Sequence, residues 1–353
     1  MVYKVIGVMS GTSLDGIDFA YIHFEKKETW NFSIVHAETI PYTKSLENQL
    51  REAIHYDKDR LAAFDTLYTQ YLAESIQSFI QKHNITDIDA VCSHGHTILH
   101  QPENGITYQI GNQEILAKLI QQKVVCDFRV QDVKLGGQGA PLVPIGDELL
   151  FSEYDYCLNL GGFANVSFHK DGKRIAYDIC PVNIVLNTYA KQLGFDYDDK
   201  GKLAKSGEYL LALGEEINNL PYYKQLPPKS LGLEWVQEEI FPRLDAFKRK
   251  EIDILRTFTE HIAQQIARSF DIRTKVLVTG GGAYNEYLLS RIQYYKKVTI
   301  IKSSDELIEY KEALIFGFLG VLRLRNEVNC LKTVTGSQRD HSSGMIYKYN
   351  NVK

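Results

Sequence analysis

The sequence predicts an α/β protein of two similar halves that face a cleft. Three stretches support this prediction, because in each an apolar strand runs into a glycine-rich turn, and long segments of chain separate them. We expect one hairpin of each half to grip phosphates and the third turn to lie near a base or a sugar. The three stretches are Val5–Ala20, Tyr156–Phe168 and Lys275–Ala283.

The first stretch has the residue types of a phosphate-binding hairpin. Apolar strands at Tyr3–Met9 and Ile17–Phe24 flank a turn of small and polar residues. Glycine lets a backbone approach a ligand closely, and backbone N–H groups with hydroxyls form a nest for anions. Asp15 can hold a phosphate only through Mg²⁺, which prefers oxygen ligands. The alternative is an ordinary tight hairpin turn. The turn residues are Gly11, Thr12, Ser13, Asp15 and Gly16.

Length and charge limit the class of protein. The chain has 353 residues, about two domains' worth, and is 44% hydrophobic. Its net charge of −4 gives no basic footprint, so we expect no nucleic-acid partner. The five cysteines show no CxxC spacing, which predicts reduced core thiols in a cytoplasmic protein. The chain starts with a strand pattern and no apolar run reaches ~18 residues, so we expect neither a signal peptide nor a membrane span.

Apolar periodicity predicts a helix and then a buried strand in the first half. The helix is amphipathic over Leu61–Ile80, and a short strand at Ala90–Ser93 delivers two histidines at its end, where α/β folds place ligands. His94, His96 and His100 are open to two interpretations. They could form a metal cluster, but the carboxylate or cysteine usual for such sites does not accompany them. We favour histidines that bond to the backbone of a loop.

Arg129 is a candidate ligand for a carboxylate. It follows the strand pattern of Val124–Phe128, and a guanidinium fork matches a carboxylate in a bidentate way. Arg129 could equally form an ion pair with Asp127 or Asp132, and the residues alone leave both interpretations open. The glycine-rich loop Gly136–Pro144 comes next. We place the domain boundary just after that loop, near residue 150.

The second half repeats the hairpin and continues with helices. Asp178 stands at the end of a strand pattern, where a carboxylate is more often a cap or turn residue than a base. Helical patterns cover Glu208–Leu220 and Ile252–Phe270, and the second of these feeds the strand before the triple glycine. Glu312–Leu322 is nearly all apolar and too short to span a membrane, which predicts a buried helix.

These motifs resemble those of the anhydro-N-acetylmuramic acid kinases, a family of the sugar kinase/Hsp70/actin superfamily. Two of them are specific, Ser-Gly-Thr-Ser-Leu-Asp-Gly and Gly-Gly-Gln-Gly-Ala-Pro-Leu-Val-Pro. The resemblance implies a two-domain actin-like ATPase fold, with mixed sheets flanked by helices around an interdomain cleft. It implies an N-terminal domain at 1–150, to which the tail 335–353 returns, and a C-terminal domain at 151–334. The matching stretches are Gly7–Asp18, Ser93–Gly95, Cys126–Arg129, Gly136–Pro144, Asn159–Val166, Pro227–Ser230, Gly280–Asn285 and Val334–Gly336.

The resemblance also implies a reaction. ATP phosphorylates O6 of 1,6-anhydro-N-acetylmuramic acid while water opens the anhydro bridge at C1, which gives N-acetylmuramic acid 6-phosphate in murein recycling. Asp178 is then the catalytic base, Asp15 a ligand of Mg²⁺, and the protein a cytoplasmic homodimer. The implied ATP-binding residues are Gly11, Thr12, Ser13, Asp15, Gly16, Gly161, Gly162, Gly280, Gly281 and Gly282. The implied sugar-binding residues are Ser93, His94, His96, Arg129, Asp132, Gln138 and Asn183.

The chain departs from the family pattern beside Asp178. The family has Phe-Asp-Thr-Gly-Pro-Gly-Asn, and here Ile179, Cys180 and Val182 replace the threonine and both glycines. β-Branched residues adopt a positive φ only at a cost, so we expect a reshaped turn. Asn187 stands where an aspartate is usual, and His96 where glutamine is usual. These departures keep two alternatives open: a kinase of a related amino sugar, and a nucleotide-dependent binding or regulatory protein of the same fold.

Overall fold

The computed structural model describes residues 1–11 and 14–349, so Thr12 and Ser13 of the first turn lie outside it. The chain divides into two compact units. Unit 1 comprises Met1–Leu150 and the segment that begins at Tyr310, and unit 2 is Phe151–Glu309. The sequence predicts the return to the first domain at 335, whereas the structure places it at Tyr310. The reason is an apolar helix whose larger part packs in unit 1, as described below.

The strands fall into one sheet in each unit. The strands of unit 1 are β1 Val2–Ser10, β2 Gly16–Lys26, β3 Trp30–Pro41, β4 Ala90–Gln101, β5 Ile106–Ile110, β6 Val124–Cys126 and β12 Met345–Tyr347. The strands of unit 2 are β7 Tyr156–Leu160, β8 Phe163–Lys170, β9 Lys173–Pro181, β10 Lys275–Thr279 and β11 Thr299–Lys302.

Helices follow the strands in both units. The helices are α1 Lys44–Glu52, α2 Lys58–Lys82, α3 Ile115–Ile120, α4 Val130–Lys134, α5 Pro144–Leu150, α6 Asn183–Gln192, α7 Lys202–Ser206, α8 Leu211–Asn218, α9 Leu233–Trp235, α10 Phe241–Ala246, α11 Glu251–Arg268, α12 Glu286–Tyr295, α13 Asp305–Leu324 and α14 Lys332–Thr335. A π-helical turn at Val236–Ile240 joins α9 to α10, and short 3₁₀ turns lie at Ala53–His55, Pro102–Asn104, Asp199–Gly201, Pro221–Lys224 and Gly281–Tyr284. Together with the sheets, they confirm the predicted α/β class with mixed sheets flanked by helices.

The sheet of unit 1 has the order β12-β6-β4-β1-β2-β3, with β5 paired to β4. The first two strands form the predicted antiparallel hairpin, and β1 pairs with β4 in parallel. Helix α2 buries one face of this sheet, because Phe64, Leu72, Ile76 and Phe79 lie on one side of it at helical spacing. This arrangement places the ends of β1 and β4 side by side.

Strand β4 is longer than the sequence predicts. The expected short strand ends at Ser93, but pairing with β5 continues through His96 to Gln101. Gly95 makes this possible, because its φ of +73° bends the strand and a Cβ there would lie 2.5 Å from the Ile110 carbonyl oxygen. The histidines His94 and His96 therefore lie inside a strand and are both buried.

Helix α13 packs directly against the sheet of unit 1. Gly7 on β1 permits the contact, since a Cβ there would lie 1.9 Å from the carbonyl oxygen of Ala313. Gly320 meets β4 in the same way, with Cys92 Sγ 2.1 Å from its ideal Cβ position. The helical dihedrals break at Tyr310, and the residues after it are almost all buried. This packing explains why the chain joins unit 1 long before its last residues.

We predict that Gly7→Ala destabilises unit 1 by about 3 kcal/mol or more, because the added methyl group must displace helix backbone rather than a flexible side chain. Urea unfolding followed by circular dichroism measures the loss. Gly105→Ala is the control, since its φ is +70° and no atom lies within 4 Å of the added Cβ. Gly105→Ala measures backbone strain alone, about 1–2 kcal/mol. Equal losses in the two variants would contradict the packing explanation.

The sheet of unit 2 has the order β11-β10-β7-β8-β9. Strands β11, β10 and β7 are parallel, and β7, β8 and β9 form an antiparallel meander. Helix α11 lies in the core of the unit through Ile254, Phe258, Ile262 and Ile266, the residues that predict its apolar stripe. The carboxyl ends of β7 and β10 therefore meet at one edge of the sheet.

The five cysteines are all buried and carry free thiols. Among residues 1–11 and 14–349, no helix combines the length and the apolar character that crossing a membrane requires.

Candidate functional site

Unit 1 contains a cavity at the ends of β1 and β4. Its volume is about 340 Å³. The wall is mixed, since an arginine and a carboxylate stand among apolar and neutral polar side chains. The lining residues are Met9, Ser10, Gly11, His94, Thr97, His100, Arg129, Ala140 and Glu312. Three of them are residues that the family resemblance assigns to phosphate or sugar binding, namely Gly11, His94 and Arg129.

Arg129 is held by two contacts of unit 1. Its Nε–H donates to His94 Nε2 at 2.8 Å, and Nη1 donates to the Gly139 carbonyl oxygen at 2.7 Å. His94 can accept because its Nδ1 faces the Gly95 carbonyl oxygen at 2.9 Å, which places the ring proton on Nδ1. Burial, together with Arg129, holds the pKa of His94 well below its ordinary value, so the ring is neutral.

These contacts occupy two of the five N–H groups of the guanidinium. In the described part of the chain the other three N–H groups of Arg129 have no hydrogen-bond partner. The Arg129 side chain borders the cavity. Burial lowers the pKa of Arg129 to about 10, and it stays charged at neutral pH. The arrangement offers a fixed cation with free donors to an anionic group.

Glu312 also borders the cavity, and the sequence analysis missed it. Its side chain is exposed, yet desolvation by the surrounding protein raises the pKa of its carboxyl group, and the nearby Arg129 opposes the rise. The sequence of Glu312–Leu322 predicts a buried apolar helix, and this stretch is part of α13 in the structure. Because Glu312 is the first residue of the predicted helix, it looks like an ordinary carboxylate at a helix end. A carboxylate beside neutral donors and acceptors can accept hydrogen bonds from the hydroxyl or amide groups of a ligand.

A chain of hydrogen bonds runs behind Ser10. The Ser10 Oγ lies 2.7 Å from His96 Nδ1 and 2.5 Å from the Tyr42 hydroxyl, which lies 2.9 Å from the Tyr68 hydroxyl. Burial lowers the pKa of His96 to about 4, which makes it a neutral partner at physiological pH. His96 therefore contacts Ser10, and Ser10 contacts the cavity, so we assign His96 a positioning role.

We predict that His96→Gln keeps activity within a few-fold, because a glutamine amide can still hydrogen-bond to Ser10. His96→Leu leaves a buried hydroxyl short of a partner, at a cost of about 1–3 kcal/mol. The two variants are compared by sugar KM and by kcat, with urea unfolding as the check on folding. Equal kinetic loss in both variants would contradict the positioning role.

Three predicted sugar-binding residues of unit 1 are not among the residues that line the cavity. Ser93 is fully buried and accepts from the Gly95 N–H at 3.2 Å. Asp132 is also fully buried, and its Oδ2 accepts from the Gly139 N–H at 2.7 Å. Gln138 is exposed, and its backbone N–H donates to the Thr335 carbonyl oxygen at 2.8 Å. Asp132 thus shapes the loop that anchors Arg129, and a role in direct sugar binding stays a proposal for Gln138 and Ser93.

The turn between β1 and β2 is described only in part. Gly11 borders the cavity, Asp15 is exposed, and Thr12 and Ser13 lie outside the described residues. Gly16 has a packing reason for its identity, because a Cβ there would lie 2.4 Å from the Ile40 carbonyl oxygen on β3.

Unit 2 brings its glycine turns together at the ends of β7 and β10. Gly280 has a φ of +77°, and a Cβ there would lie 2.6 Å from Asn159 Oδ1. Gly282 is equally close to Leu160. Gly281 is open, with only Asn183 Nδ2 at 4.0 Å from its ideal Cβ. The backbone of Gly281 is exposed, whereas Gly280 and Gly282 on either side of it are tightly packed. A flat or anionic ligand can therefore approach the Gly281 backbone closely.

Gly161 and Gly162 join this cluster through the first turn of α6. The Gly162 carbonyl oxygen accepts from the Val182 N–H at 2.8 Å, and Asn183 donates from its backbone N–H to Gly161 at 3.3 Å. The Asn183 side chain donates to the Leu160 carbonyl oxygen at 3.3 Å. Asn183, predicted as a sugar ligand, thus lies beside the glycine turns of unit 2.

Asp178 lies on β9, half-buried. One carboxylate oxygen accepts from the Leu231 N–H at 3.0 Å, while the Asp178 carbonyl accepts from the Tyr222 hydroxyl at 2.6 Å. Burial raises the pKa of the carboxyl group, and the Leu231 N–H opposes the rise. Lys229 lies 4.5 Å from the Tyr222 ring centre, and burial lowers the pKa of its amine. Among residues 1–11 and 14–349 the other carboxylate oxygen has no hydrogen-bond partner, and a desolvated carboxylate of this kind has the properties of a general base.

A family model of anhydro-N-acetylmuramic acid kinase matches residues 3–349. The chain belongs to the anhydro-N-acetylmuramic acid kinase family. Over 365 residues it is 33% identical to "Anhydro-N-acetylmuramic acid kinase" of Nitrosomonas europaea, with 97% of this chain and 99% of the relative covered. Over 367 residues it is 34% identical to the protein of the same name from Sulfurimonas denitrificans, again with 97% and 99% covered. These matches confirm the family resemblance that the sequence motifs indicate.

A solved structure gives a weaker likeness. The chain is similar to a ROK family glucokinase from Streptomyces griseus in complex with glucose and AMPPNP, at 13% identity and a TM-score of 0.41. The match covers 90% of this chain and 98% of that chain. A likeness of this size carries no argument about the ligands of this protein.

The departures from the kinase family pattern beside Asp178 fit the fold of unit 2. Ile179, Cys180 and Val182 are buried in its hydrophobic core, and none of them has a positive φ. Strand β9 continues through Pro181, and Val182 adopts a φ of −131° before α6 begins. The segment for which the sequence predicts a reshaped turn is thus the end of strand β9, and its apolar residues are stabilised by burial.

Proposed function

We propose that this member of the family is an ATP-dependent kinase of 1,6-anhydro-N-acetylmuramic acid. It adds water across the anhydro bridge and phosphorylates O6, which gives N-acetylmuramic acid 6-phosphate for murein recycling. The observation that carries the proposal is that Arg129 and Glu312 line the same cavity of about 340 Å³. The chain also belongs to the anhydro-N-acetylmuramic acid kinase family. Together Arg129 and Glu312 offer a cation and a hydrogen-bond acceptor to an acidic amino sugar.

Unit 1 supplies the sugar contacts in this proposal. The free N–H groups of Arg129 face the lactyl carboxylate, because a guanidinium fixed by His94 and Gly139 loses little freedom when it binds. Glu312 accepts a hydrogen bond from a hydroxyl or the acetamido N–H. Ser10, held by His96, provides a further neutral contact. Amino sugars without a carboxylate leave Arg129 unpaired and are expected to bind more weakly.

Asp178 is the proposed base. It takes one proton from water as the water oxygen bonds to C1. The C1–O6 bond breaks, and its electron pair goes to O6, which bonds to the γ-phosphorus as ADP leaves. No other base is needed for O6, because bond cleavage itself produces the nucleophile. The proton on Asp178 then passes to solvent. The residue acts only on water, a task suited to a positioned carboxylate.

The nucleotide is assigned to the glycine turns. The open backbone of Gly281, with Gly280, Gly282, Gly161 and Gly162 around it, fits a nucleotide in unit 2. In unit 1 we assign phosphate contacts to Gly11, Thr12, Ser13 and Gly16. The exposed Asp15 carboxylate has the donor chemistry for hydrated Mg²⁺, which neutralises phosphate charge when bound.

Compartment and assembly belong to the same proposal. Five buried free thiols fit a reducing compartment, which supports a cytoplasmic location. The homodimer rests on the family resemblance, and light scattering of the purified protein tests it.

ADP release in the presence of two sugars tests the proposed substrate. We expect release with 1,6-anhydro-N-acetylmuramic acid and at least tenfold lower kcat/KM with 1,6-anhydro-N-acetylglucosamine, which lacks the lactyl group. Equal rates with both sugars would favour a kinase of a related amino sugar. Nucleotide binding without ADP release with either sugar would favour a binding or regulatory protein.

A further inference from the structure

Three buried side chains of unit 1 converge away from the cavity. Asp132, Cys330 and His341 are exposed by 0%, 1% and 6%, and they place a carboxylate oxygen, a thiol sulfur and an imidazole nitrogen within 4.8 Å of one another. The Cys330 Sγ lies 3.1 Å from Asp132 Oδ1, and the His341 Nε2 lies 3.7 Å from the same oxygen. None of the three is needed for the proposed reaction.

The backbone fixes this convergence. Cys330 and His341 form an isolated antiparallel bridge, with each backbone N–H donating to the other residue's carbonyl oxygen at 3.1 Å. Residues directly opposite in such a bridge direct their side chains to the same side. Asp132 comes from α4 and meets them there. Its Oδ1 accepts from the Thr335 hydroxyl at 2.8 Å, and its Oδ2 accepts from the Gly139 N–H.

The imidazole of His341 lacks a partner at the nitrogen that faces the cluster. Its Nδ1 lies 3.1 Å from the Arg339 carbonyl oxygen, which can only accept, so the ring proton is on Nδ1. The Nε2 lone pair then points toward Asp132, and no described residue gives this buried atom a hydrogen bond. The separation of 3.7 Å is too long for a direct hydrogen bond. A cation between these atoms gives the Nε2 lone pair a partner, and the Asp132 carboxylate, which already accepts from Thr335 and Cys330, supplies the negative charge.

We propose that Asp132, Cys330 and His341 form a zinc site. Zinc bonds of about 2.0–2.3 Å in tetrahedral geometry place ligand atoms about 3.3–3.8 Å apart, close to the 3.1 and 3.7 Å found here. Sulfur and imidazole ligands favour zinc over Mg²⁺ or Ca²⁺, which take oxygen ligands. Binding displaces the thiol proton of Cys330 to solvent, and a water completes the fourth position.

The surroundings have the features of an outer ligand shell. Arg339 fixes the imidazole tautomer, and Thr335 with Gly139 orients the carboxylate, as hydrogen-bond partners of metal ligands commonly do. Cys330 and His341 belong to the segment after α13, and Asp132 is bonded to the loop at Gly139. The Gly139 carbonyl oxygen accepts from Arg129, so the site links that segment to the loop that holds Arg129. Zinc therefore braces the wall of the cavity without contacting the sugar.

Zinc binding to the full-length, tag-free protein tests this site. After dialysis against Zn²⁺, we expect one zinc per chain by mass spectrometry of the metal. The Co²⁺-loaded protein should show thiolate-to-cobalt charge-transfer absorption. Cys330→Ser should abolish that absorption, and His341→Asn should weaken zinc binding tenfold or more, since even outer-shell losses cost about that much. Cys157→Ser, a buried thiol of unit 2, is the matched control and should bind like the parent.

Circular dichroism melting of each variant without metal shows whether it folds, so a lost signal is interpretable. Zinc should also raise the melting temperature of the parent and not of Cys330→Ser. The proposal is overturned if the parent retains no zinc after dialysis, or if Cys330→Ser and His341→Asn bind zinc as the parent does. It is equally overturned if Co²⁺ binds without thiolate absorption.

Discussion

Asp178→Asn is expected to lower kcat by about 10²–10⁴-fold and to leave nucleotide affinity unchanged. Asparagine has nearly the same shape, and its amide oxygen can still accept from the Leu231 N–H. Folding and the glycine turns are therefore preserved, and only proton abstraction is lost. Turnover is measured by ADP release, and binding by calorimetry with a non-hydrolysable ATP analogue.

Asp199→Asn is the matched control for that variant. Asp199 is an exposed carboxylate of the same unit that pairs with Lys202, and its loss should leave turnover unchanged. The pH dependence gives a second readout. A base acts in its ionised form, so activity falls as the pH drops through its pKa, and burial of Asp178 raises that pKa above the ordinary value of an aspartate. Full activity in Asp178→Asn would remove Asp178 from the mechanism.

Arg129→Lys is expected to lower kcat/KM for the anhydro-muramic substrate by about 10–100-fold. A lysine keeps the charge, but it cannot contact His94, Gly139 and a carboxylate together as the guanidinium does. Hydrogen bonds to charged groups contribute about 1.5–3 kcal/mol, which corresponds to that range. The loss should appear mainly in KM, because the carboxylate is remote from the reacting bonds.

Arg325→Lys provides the comparison, since Arg325 pairs with Glu327 and Tyr3 within unit 1 and does not border the cavity. It should behave like the parent. The sugar without a lactyl group adds a sharper test. The Arg129→Lys penalty should largely disappear with that sugar, because the contact it removes no longer exists. A penalty of the same size with both sugars would mean that Arg129 supports the fold and not the carboxylate.

Local patterns in the sequence predict much of this fold. The hairpin β1–β2, the hairpin β7–β8 and the amphipathic helices α2 and α11 follow from apolar periodicity and glycine turns alone. Strand β4 is longer than predicted because its pairing with β5 is a non-local interaction that no short pattern encodes. The place of α13 depends on a contact between Gly7 and Ala313, which are far apart in the chain.

The site is predictable where the chemistry of a residue is unusual for its place. Arg129 and the glycine turns stand out in this way, and in the structure Arg129 and Gly11 border the cavity while Gly281 is exposed. Glu312 does not stand out, because it is the first residue of the helix predicted at Glu312–Leu322, and an acidic residue at the start of a helix is common. Asp132 and His96 look like ligands from the sequence, yet their side chains bond within the protein, and only tertiary structure shows that.

The most direct measurement is the mass of the sugar product after incubation with 1,6-anhydro-N-acetylmuramic acid, ATP and Mg²⁺. We expect a product that has gained one phosphoryl group and one water, formed at least about 100-fold more slowly by Asp178→Asn. A product that has gained phosphate without water would contradict it, since the anhydro bridge would then be intact and the enzyme an ordinary hydroxyl kinase.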